Sequence, residues 1–292
     1  MPIVDALAEN PAVRLLAVVT APRRVGSRGK EVDPPVADWA AGHDVPTFRP
    51  ARLRTESAIE HIRSHAPDLL VLADYGQIVP SELLDLPPHG ALNLHPSLLP
   101  RWRGASPIPA AILAGDKSTG VTLMQMDAGL DSGPIVAQRE VELAGEEIAP
   151  ELESRLSRVA AELLTATLGD WLAGLIHPRA QAADGVTMTK QLRREDGRLD
   201  PAKPAAELER QVRAYQPWPG SFIESDGDRL VVWRARVVDT TPAHGLGLQT
   251  SDGVLELVEV QPAGGRRMPA VDYVRGRSRL SLRPAAERRV DA

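Results

Sequence analysis

The chain has 292 residues, of which 43% are hydrophobic and 25% charged, a composition typical of a globular protein with one large or two smaller domains. It contains no cysteine, which excludes disulfides, thiol catalysis and Cys-ligated zinc. The net charge is −5, no apolar run approaches the roughly 18 residues of a membrane span, and the N-terminus lacks a secretory signal pattern. We therefore expect a cytoplasmic protein that does not enter a membrane.

Short apolar runs follow one another through the first half of the chain, at residues 15–20, 69–73, 91–94 and 121–126. Helix-like patterns at residues 55–65 and 106–115 separate some of them. Runs of this kind are typical of strands covered on both faces of a parallel sheet, so the pattern predicts an α/β fold with right-handed crossovers. An added strand is predicted at 133–143, and an amphipathic helix at 149–173 that ends at Gly174.

The second half of the chain has a different pattern. Residues 181–203 are polar and lack apolar periodicity, which predicts a linker. A short helix is predicted at 205–215, followed by the strands SFIE, RLVVWRARVV, GLGLQT and VLELVEV, with a hairpin turn at 250–253. This spacing favours a small β-barrel of the oligonucleotide-binding (OB) type, and the predicted domains are therefore 1–180 and 204–292.

Two polar side chains stand out in the strand ALNLH. Asn93 and His95 are two residues apart, so on a strand they point to the same face, at the end where ligands bind in open α/β sheets. An imidazole transfers protons near neutral pH, and a carboxamide can donate to a developing oxyanion. Although a single histidine in a strand is more often structural, the pair favours attack on a carbonyl group.

Such chemistry also needs a carboxylate to support the imidazole. The loop MDAGLDSGPI, which follows the strand GVTLMQM, supplies Asp127 and Asp131. The spacing does not distinguish between them.

Three segments carry a resemblance to a known family. NLHPSLLP, RWRGASPI and GDKSTGVTLMQMDAGLDSGPI resemble the folate-dependent formyltransferases. The resemblance implies a Rossmann-like, parallel-rich catalytic domain in which Asn93, His95 and Asp131 form the catalytic trio. LRREDGRLD, QPWPGSF and RRMPAVDYVRGR resemble the linker and C-terminal domain of members that formylate methionyl initiator tRNA.

The same resemblance implies the ligands. The formyl donor would be 10-formyltetrahydrofolate, the acceptor the α-amine of methionyl initiator tRNA, and no metal would be needed; we expect a monomer. The folate site would be lined by Ser97, Leu98, Leu99 and Pro100. The pterin ring of the folate would be held by backbone groups of Tyr75, Gly76, Gln77 and Ile78. The tRNA would contact the basic residues Arg23, Arg24, Arg28 and Lys30, together with Arg266 and Arg267 of the arginine-rich C-terminal segment.

One feature departs from the family pattern. Members open with a strand and a glycine-containing loop, whereas MPIVDALAEN resembles the end of the helix that follows them. We expect the first strand to be missing, through a start assigned too far downstream or a truncation, and two neighbouring strands to lack a partner. Three alternatives remain: formylation of an amino sugar or other small amine, hydrolysis that releases formate, and an inactive tRNA-binding homologue.

Overall fold

The structure is a computed structural model that describes residues 1–25, 31–225, 228–240 and 245–275, without the side chains of Arg24, Val25 and Ser225. The described residues form two compact units. The first comprises residues 1–107, 118–142 and 153–190, and the second residues 108–117, 143–152 and those from 191 onward.

The helices and strands alternate in the first unit, and strands dominate the second. The described helices are α1 (Pro2–Glu9), α2 (Pro35–Gly42), α3 (Glu56–Arg63), α4 (Ser81–Leu84), α5 (Pro107–Ala114), α6 (Ala149–Leu172), α7 (Ala205–Ala214) and α8 (Ala270–Arg275), with a 3-10 turn at Arg194–Gly197. The described strands are β1 (Val18–Val19), β2 (Arg24–Val25), β3 (Glu31–Val32), β4 (Thr47–Phe48), β5 (Leu70–Leu72), β6 (Ala91–His95), β7 (Arg103–Gly104), β8 (Ser118–Gln125), β9 (Ile135–Glu142), β10 (Met188–Thr189), β11 (Ser221–Ser225), β12 (Asp228–Val238), β13 (Leu246–Gln249), β14 (Val254–Pro262) and β15 (Met268–Pro269).

The sheet of the first unit that carries the predicted site has the order β5-β6-β8-β9. β5 and β6 are parallel, with Leu72 opposite Asn93. β8 runs antiparallel to β6, with Thr122 opposite His95, and β9 runs antiparallel to β8. The prediction that β8 continues a parallel series is therefore wrong. A short apolar run indicates burial on both faces of a sheet, but it does not report the direction of the strand.

A second parallel ladder joins β1 and β4. Within the described residues β1 pairs only with β4, and β5 pairs only with β6, so the parallel strands form two separate ladders. Both ladders pack on one apolar cluster, whose buried members are Leu53, Ile62 and Leu83 and which Val19, Phe48 and Leu70 cover. β1 and β5 therefore each have one edge that pairs with no described strand.

Helix α6 confirms the predicted amphipathic helix almost residue for residue. Leu156, Leu164 and Leu168 are buried along one face, because residues three to four apart recur on the same side of a helix. The chain leaves the helix through Gly174, whose φ of +69° lies in the left-handed region that favours glycine. None of the described helices, including this one, is long and apolar enough to cross a membrane.

The second unit is built on an antiparallel sheet of order β11-β12-β14-β13, with β15 added to β14. The predicted hairpin turn connects β13 to β14, where Thr250 N–H donates to the carbonyl of Gly253 (3.3 Å). Helix α7 contributes Leu208 and Val212 to the core formed with these strands. Among the described strands the sheet remains an open path, so the coarser prediction of a small antiparallel β domain is confirmed and barrel closure is not.

Leu164→Ala should lower the free energy of unfolding of the first unit by about 2–5 kcal/mol, because the cavity left by a large buried side chain fills only partly. Leu164 is 1% exposed, whereas Leu175, just beyond the same helix, is 69% exposed. Leu175→Ala should therefore change the free energy by less than about 0.5 kcal/mol. Urea unfolding of both variants, followed by tryptophan fluorescence, makes the comparison. Equal losses would contradict the assigned packing of α6.

Candidate active site

Strand β6 presents Asn93 and His95 on one face of the sheet. The neighbours Leu92 and Leu94 are buried in the core on the other face, as strand alternation requires. His95 is only 5% exposed, and Asn93 is half-buried. The sequence prediction that the two side chains share a face is consistent with this strand geometry.

The imidazole of His95 is fixed by a backbone group. Its Nε2–H donates to the carbonyl oxygen of Trp102 (2.9 Å). Since a carbonyl can only accept, this bond places the proton of the neutral ring on Nε2 and leaves the lone pair on Nδ1. The peptide of Trp102 is held in turn by Thr187, whose Oγ1 accepts from Trp102 N–H (2.8 Å).

Asp131 lies on the lone-pair side of the ring. Its Oδ2 is 3.7 Å from His95 Nδ1 and accepts a hydrogen bond from Gly104 N–H (2.7 Å). The structure thus brings together a carboxylate and an imidazole that are 36 residues apart in the sequence. A distance of 3.7 Å is too long for a direct hydrogen bond. A proton added at Nδ1 would form the pair after a modest shortening of this distance.

The other carboxylate of this loop, that of Asp127, makes hydrogen bonds within the loop instead. Asp127 accepts hydrogen bonds from Ser132 Oγ (2.9 Å) and from Gly129 N–H (3.0 Å), so it closes the loop on itself. The alternative that the spacing left open is therefore resolved geometrically: Asp131 faces the imidazole and Asp127 does not. The loop folds back over the sheet to reach this position, because β8 is antiparallel to β6 and the loop begins beside Ala91, where Met126 N–H donates to the Ala91 carbonyl (2.8 Å).

Two residues that contact His95 have a strained backbone. Trp102 has φ +62° and Asp131 has φ +48°, both in the left-handed region that non-glycine residues rarely adopt. Each such residue costs about 1–3 kcal/mol and persists only where its surroundings hold it. Gly104 has φ +104°, and a Cβ there would lie 2.4 Å from the carbonyl oxygen of Thr189. The sequence RWRG therefore ends in glycine because β7 and β10 approach each other too closely for a side chain.

Burial lowers the pKa of His95 below its ordinary value of 6.5. The carboxylate of Asp131 and the carbonyl of Trp102 act in the opposite direction, because each stabilises the imidazolium. Desolvation is the larger effect, so the ring is neutral at pH 7 and its Nδ1 can accept a proton.

In the described part of the chain, no group of three or more His, Asp or Glu side chains is arranged to hold a metal ion.

Asn93 differs from its neighbours in having a carboxamide without a hydrogen-bond partner among the described residues. His95 and Ser97, the buried polar residues that follow it, are both paired, because an unpaired buried polar group is costly. A half-buried carboxamide left open beside an imidazole can donate N–H to a ligand. The carboxamide of Asn93 is therefore open to a ligand.

The predicted folate-lining residues follow β6 directly. Ser97 is fully buried, and its hydroxyl donates to the carbonyl of Arg101 (2.6 Å). The Leu99 N–H donates to Thr122 Oγ1 (3.1 Å), and its carbonyl accepts from Gln138 Nε2 (2.9 Å). Ser97 and Leu99 therefore shape the loop, while the half-buried Leu98 and Pro100 offer more surface to a ligand.

The predicted pterin-binding loop follows β5, the strand beside β6. The Gln77 side chain anchors it: Oε1 accepts from Leu53 N–H (2.8 Å) and Nε2 donates to the Pro50 carbonyl (3.1 Å). Ile78 is 84% exposed, and the Tyr75 ring packs on the apolar cluster of β1 and β5. The peptide groups of Tyr75, Gly76, Gln77 and Ile78 form no backbone–backbone hydrogen bond within the described chain.

The predicted tRNA-contacting residues lie apart from this site in the sequence. Arg28 and Lys30 fall outside the described residues. Arg23 is paired with Asp33 (3.0 Å) and Glu31 (3.5 Å), and Arg24 lies on β2, opposite Val32 of β3. In the second unit, Arg266 is exposed, and the Arg267 guanidinium stacks on the Trp233 ring at 3.6 Å.

Sequence reasoning missed a set of supporting residues in the segment predicted as a linker. β10 pairs with β7, and Thr189 Oγ1 accepts from Ser106 N–H (3.0 Å) and donates to the Arg103 carbonyl (3.0 Å). Thr187 supports Trp102 in the same way. The signal was the alternation in Thr187-Met188-Thr189, the same two-residue spacing that singled out Asn93 and His95.

Comparison with solved structures shows a shared fold. HypX from Aquifex aeolicus, solved in complex with tetrahydrofolic acid, superposes with a TM-score of 0.62 at 16% identity, covering 89% of this chain and 47% of that chain. This chain thus spans about half the length of HypX. A methionyl-tRNA formyltransferase from Clostridium thermocellum superposes with a TM-score of 0.56 at 18% identity, covering 77% of this chain and 91% of that one.

Comparison of sequences defines the relationship more closely. The formyl transferase family matches residues 2–168, and the formyl transferase C-terminal domain matches residues 191–278. The methionyl-tRNA formyltransferase of Halorhodospira halophila is 44% identical over 289 residues, which cover 95% of this chain and 93% of that protein. The protein therefore belongs to the formyl transferase family.

Proposed function

We propose that this protein transfers the formyl group of 10-formyltetrahydrofolate to the α-amino group of methionyl initiator tRNA. The observation that carries the proposal is the arrangement of His95, Asp131 and the open carboxamide of Asn93 at one end of β6. The similarity to a methionyl-tRNA formyltransferase along nearly the whole chain supports this choice of substrates.

The transfer moves one acyl group between two nitrogens. The amine nitrogen attacks the formyl carbon, the new N–C bond forms, and the bond to the folate nitrogen breaks with its electron pair. His95 Nδ1, which carries the lone pair, accepts the proton that the amine loses. The same nitrogen returns that proton to the departing folate nitrogen, so the imidazole ends neutral and the protons balance.

Charge develops at two places during this reaction, and a different residue stabilises each of the two charges. Negative charge on the formyl oxygen is stabilised by Asn93 N–H, and one such donor is typically worth about 3–4 kcal/mol. Positive charge on the imidazole is stabilised by Asp131 Oδ2, which faces Nδ1 at 3.7 Å. The Trp102 carbonyl prevents the ring from turning away.

The free backbone groups after β5 fit the proposed folate. A pterin carries several donors and acceptors on one edge, and the unpaired peptide groups of residues 75–78 can meet them. Leu98 and Pro100 would cover the ring from the neighbouring loop, with Ser97 and Leu99 setting the shape of that loop. 10-formyltetrahydrofolate supplies the formyl carbon as a substrate.

For the tRNA we propose contacts from both parts of the chain. Arg23, Arg24, Arg28 and Lys30 would meet phosphates from the catalytic domain, residues 1–180, and Arg266 and Arg267 from the C-terminal domain, residues 204–292. That domain would be an OB-type barrel joined by a linker at 181–203. We propose further that the protein acts as a monomer in the cytoplasm.

His95→Ala should reduce formylation of methionyl initiator tRNA by at least about 100-fold, because general acid–base catalysis typically contributes about 10² to 10⁴. The matched control is His177→Ala, since His177 is exposed and forms no hydrogen bond within the described chain. Formylmethionine released after deacylation is measured by mass spectrometry with 10-formyltetrahydrofolate as donor. Near-normal turnover of His95→Ala would remove this residue from the mechanism.

The pKa of His95 should lie below 6.5 in the folded protein, since burial favours the neutral ring. NMR titration of the ring signal that disappears in His95→Ala measures it directly. As the pH falls through 6.5, His95 takes up a proton in the unfolded chain before it does so in the folded protein. The stability that neutral His95 contributes to the folded protein is therefore lost as the pH falls below 6.5. A pKa above 6.5 would show that Asp131 outweighs burial.

A further inference from the structure

Gln181 lies at the start of the segment predicted as a linker and outside both ranges, 2–168 and 191–278, that match the family. Its side chain is half-buried in the first unit, beside the loop that carries Asp131. All four hydrogen-bonding positions of its carboxamide are occupied. A side chain used to its full capacity is strongly constrained in orientation.

The carboxamide joins two separate loops. Gln181 Nε2 donates to the carbonyls of Asp131 (2.8 Å) and Gly133 (2.7 Å). Its Oε1 accepts from Arg103 Nε (3.0 Å) and Nη2 (2.7 Å). The orientation of the amide is unambiguous, because the reverse would set its NH₂ against the guanidinium and its oxygen against two carbonyls.

Both loops meet at the carboxylate of Asp131. One loop carries Asp131 itself in a left-handed backbone conformation, φ +48°, that requires support. The other carries Gly104, the residue after Arg103, whose N–H donates to Asp131 Oδ2 (2.7 Å). Gln181 therefore hydrogen-bonds the backbone of Asp131. Through Arg103 it also fixes β7, whose Gly104 N–H binds the Asp131 side chain.

The loop end beside Gln181 is also tightly packed. A Cβ at Gly133 would lie 1.9 Å from the carbonyl oxygen of Gln125, so the chain crosses β8 at contact distance. The carbonyl of Gly133 faces Gln181, and without that donor it would be left unpaired. Removal of the carboxamide would thus release both Asp131 and Gly133 from their fixed positions.

We propose that Gln181 is a positioning residue for formyl transfer, which clamps the loop of Asp131 to Arg103 and so keeps the carboxylate facing His95. The inference rests on the proposed function and adds to it a residue that does not touch the reacting atoms. A misplacement of a catalytic group by about 1 Å can cost about 100-fold in rate. Gln181 is therefore expected to act on kcat through Asp131.

The test is a double-mutant cycle on kcat for formylation of methionyl initiator tRNA. Gln181→Met keeps the length of the side chain and removes every hydrogen bond, and it should lower kcat about 10- to 100-fold with KM for both substrates within about threefold. In an Asp131→Asn background the same change should cost less than about threefold, because the partner through which it acts is already disabled. Gln191→Met is the control: Gln191 is exposed and forms no hydrogen bond within the described chain.

A second readout does not depend on turnover. Loss of the Asp131 carboxylate removes an effect that raises the pKa of His95. The pKa measured by NMR should therefore fall in Gln181→Met and in Asp131→Asn, with no further fall in the double variant. If the wild-type protein formylates nothing, the proposed function fails, while this titration still decides the role of Gln181.

Two results would overturn the inference. One is a kcat for Gln181→Met within twofold of wild type; the other is an equal loss in the wild-type and Asp131→Asn backgrounds, which would show an effect independent of Asp131. Should Gln181→Met fail to fold by circular dichroism, Gln181→Glu keeps the Arg103 partner and loses both donations to the loop. Gln181→Glu should lower kcat at least about 10-fold, and normal turnover would count against the clamp.

Discussion

The hydrogen bond from His95 Nε2–H to the carbonyl of Trp102 determines what the rest of the site can do. It fixes the tautomer of a buried imidazole and thereby directs the lone pair of Nδ1 towards Asp131. Trp102 offers that carbonyl from a strained backbone conformation, with φ +62°. Thr187 holds its N–H, so a residue distant in sequence stabilises the conformation on which the proton acceptor depends.

Burial and charge act in opposite directions on His95, and their balance suits an acyl transfer to an amine. Burial lowers the pKa of the imidazole, because it disfavours the charged ring. The carboxylate of Asp131 limits that effect and stabilises the ring once it is charged. Asn93 lies on the same face with its carboxamide open, and in the proposed mechanism it would donate to the oxyanion while His95 accepts the proton.

The sequence predicted much of this arrangement, since the two-residue spacing of Asn93 and His95 on an apolar strand sets their common face. It also predicted helix α6 and the antiparallel strands of the second unit, because apolar periodicity reports burial directly. The spacing could not choose between Asp127 and Asp131, whose difference is set by how the loop folds back over the sheet. Nor could polarity reveal that Gln181, Thr187 and Thr189 support the site, because their hydrogen bonds reach segments about 50 to 86 residues away.

We propose that Asp131, and not its neighbour Asp127, supports the imidazole during transfer. The most direct measurement compares kcat of Asp131→Asn and Asp127→Asn with 10-formyltetrahydrofolate and methionyl initiator tRNA, since each change removes a charge and preserves shape. Asp131→Asn should lose at least about 100-fold, because the imidazolium loses its counter-charge. Asp127→Asn keeps an oxygen for Ser132 and Gly129 and should stay within about fivefold. Equal losses, or the reverse order, would contradict the account.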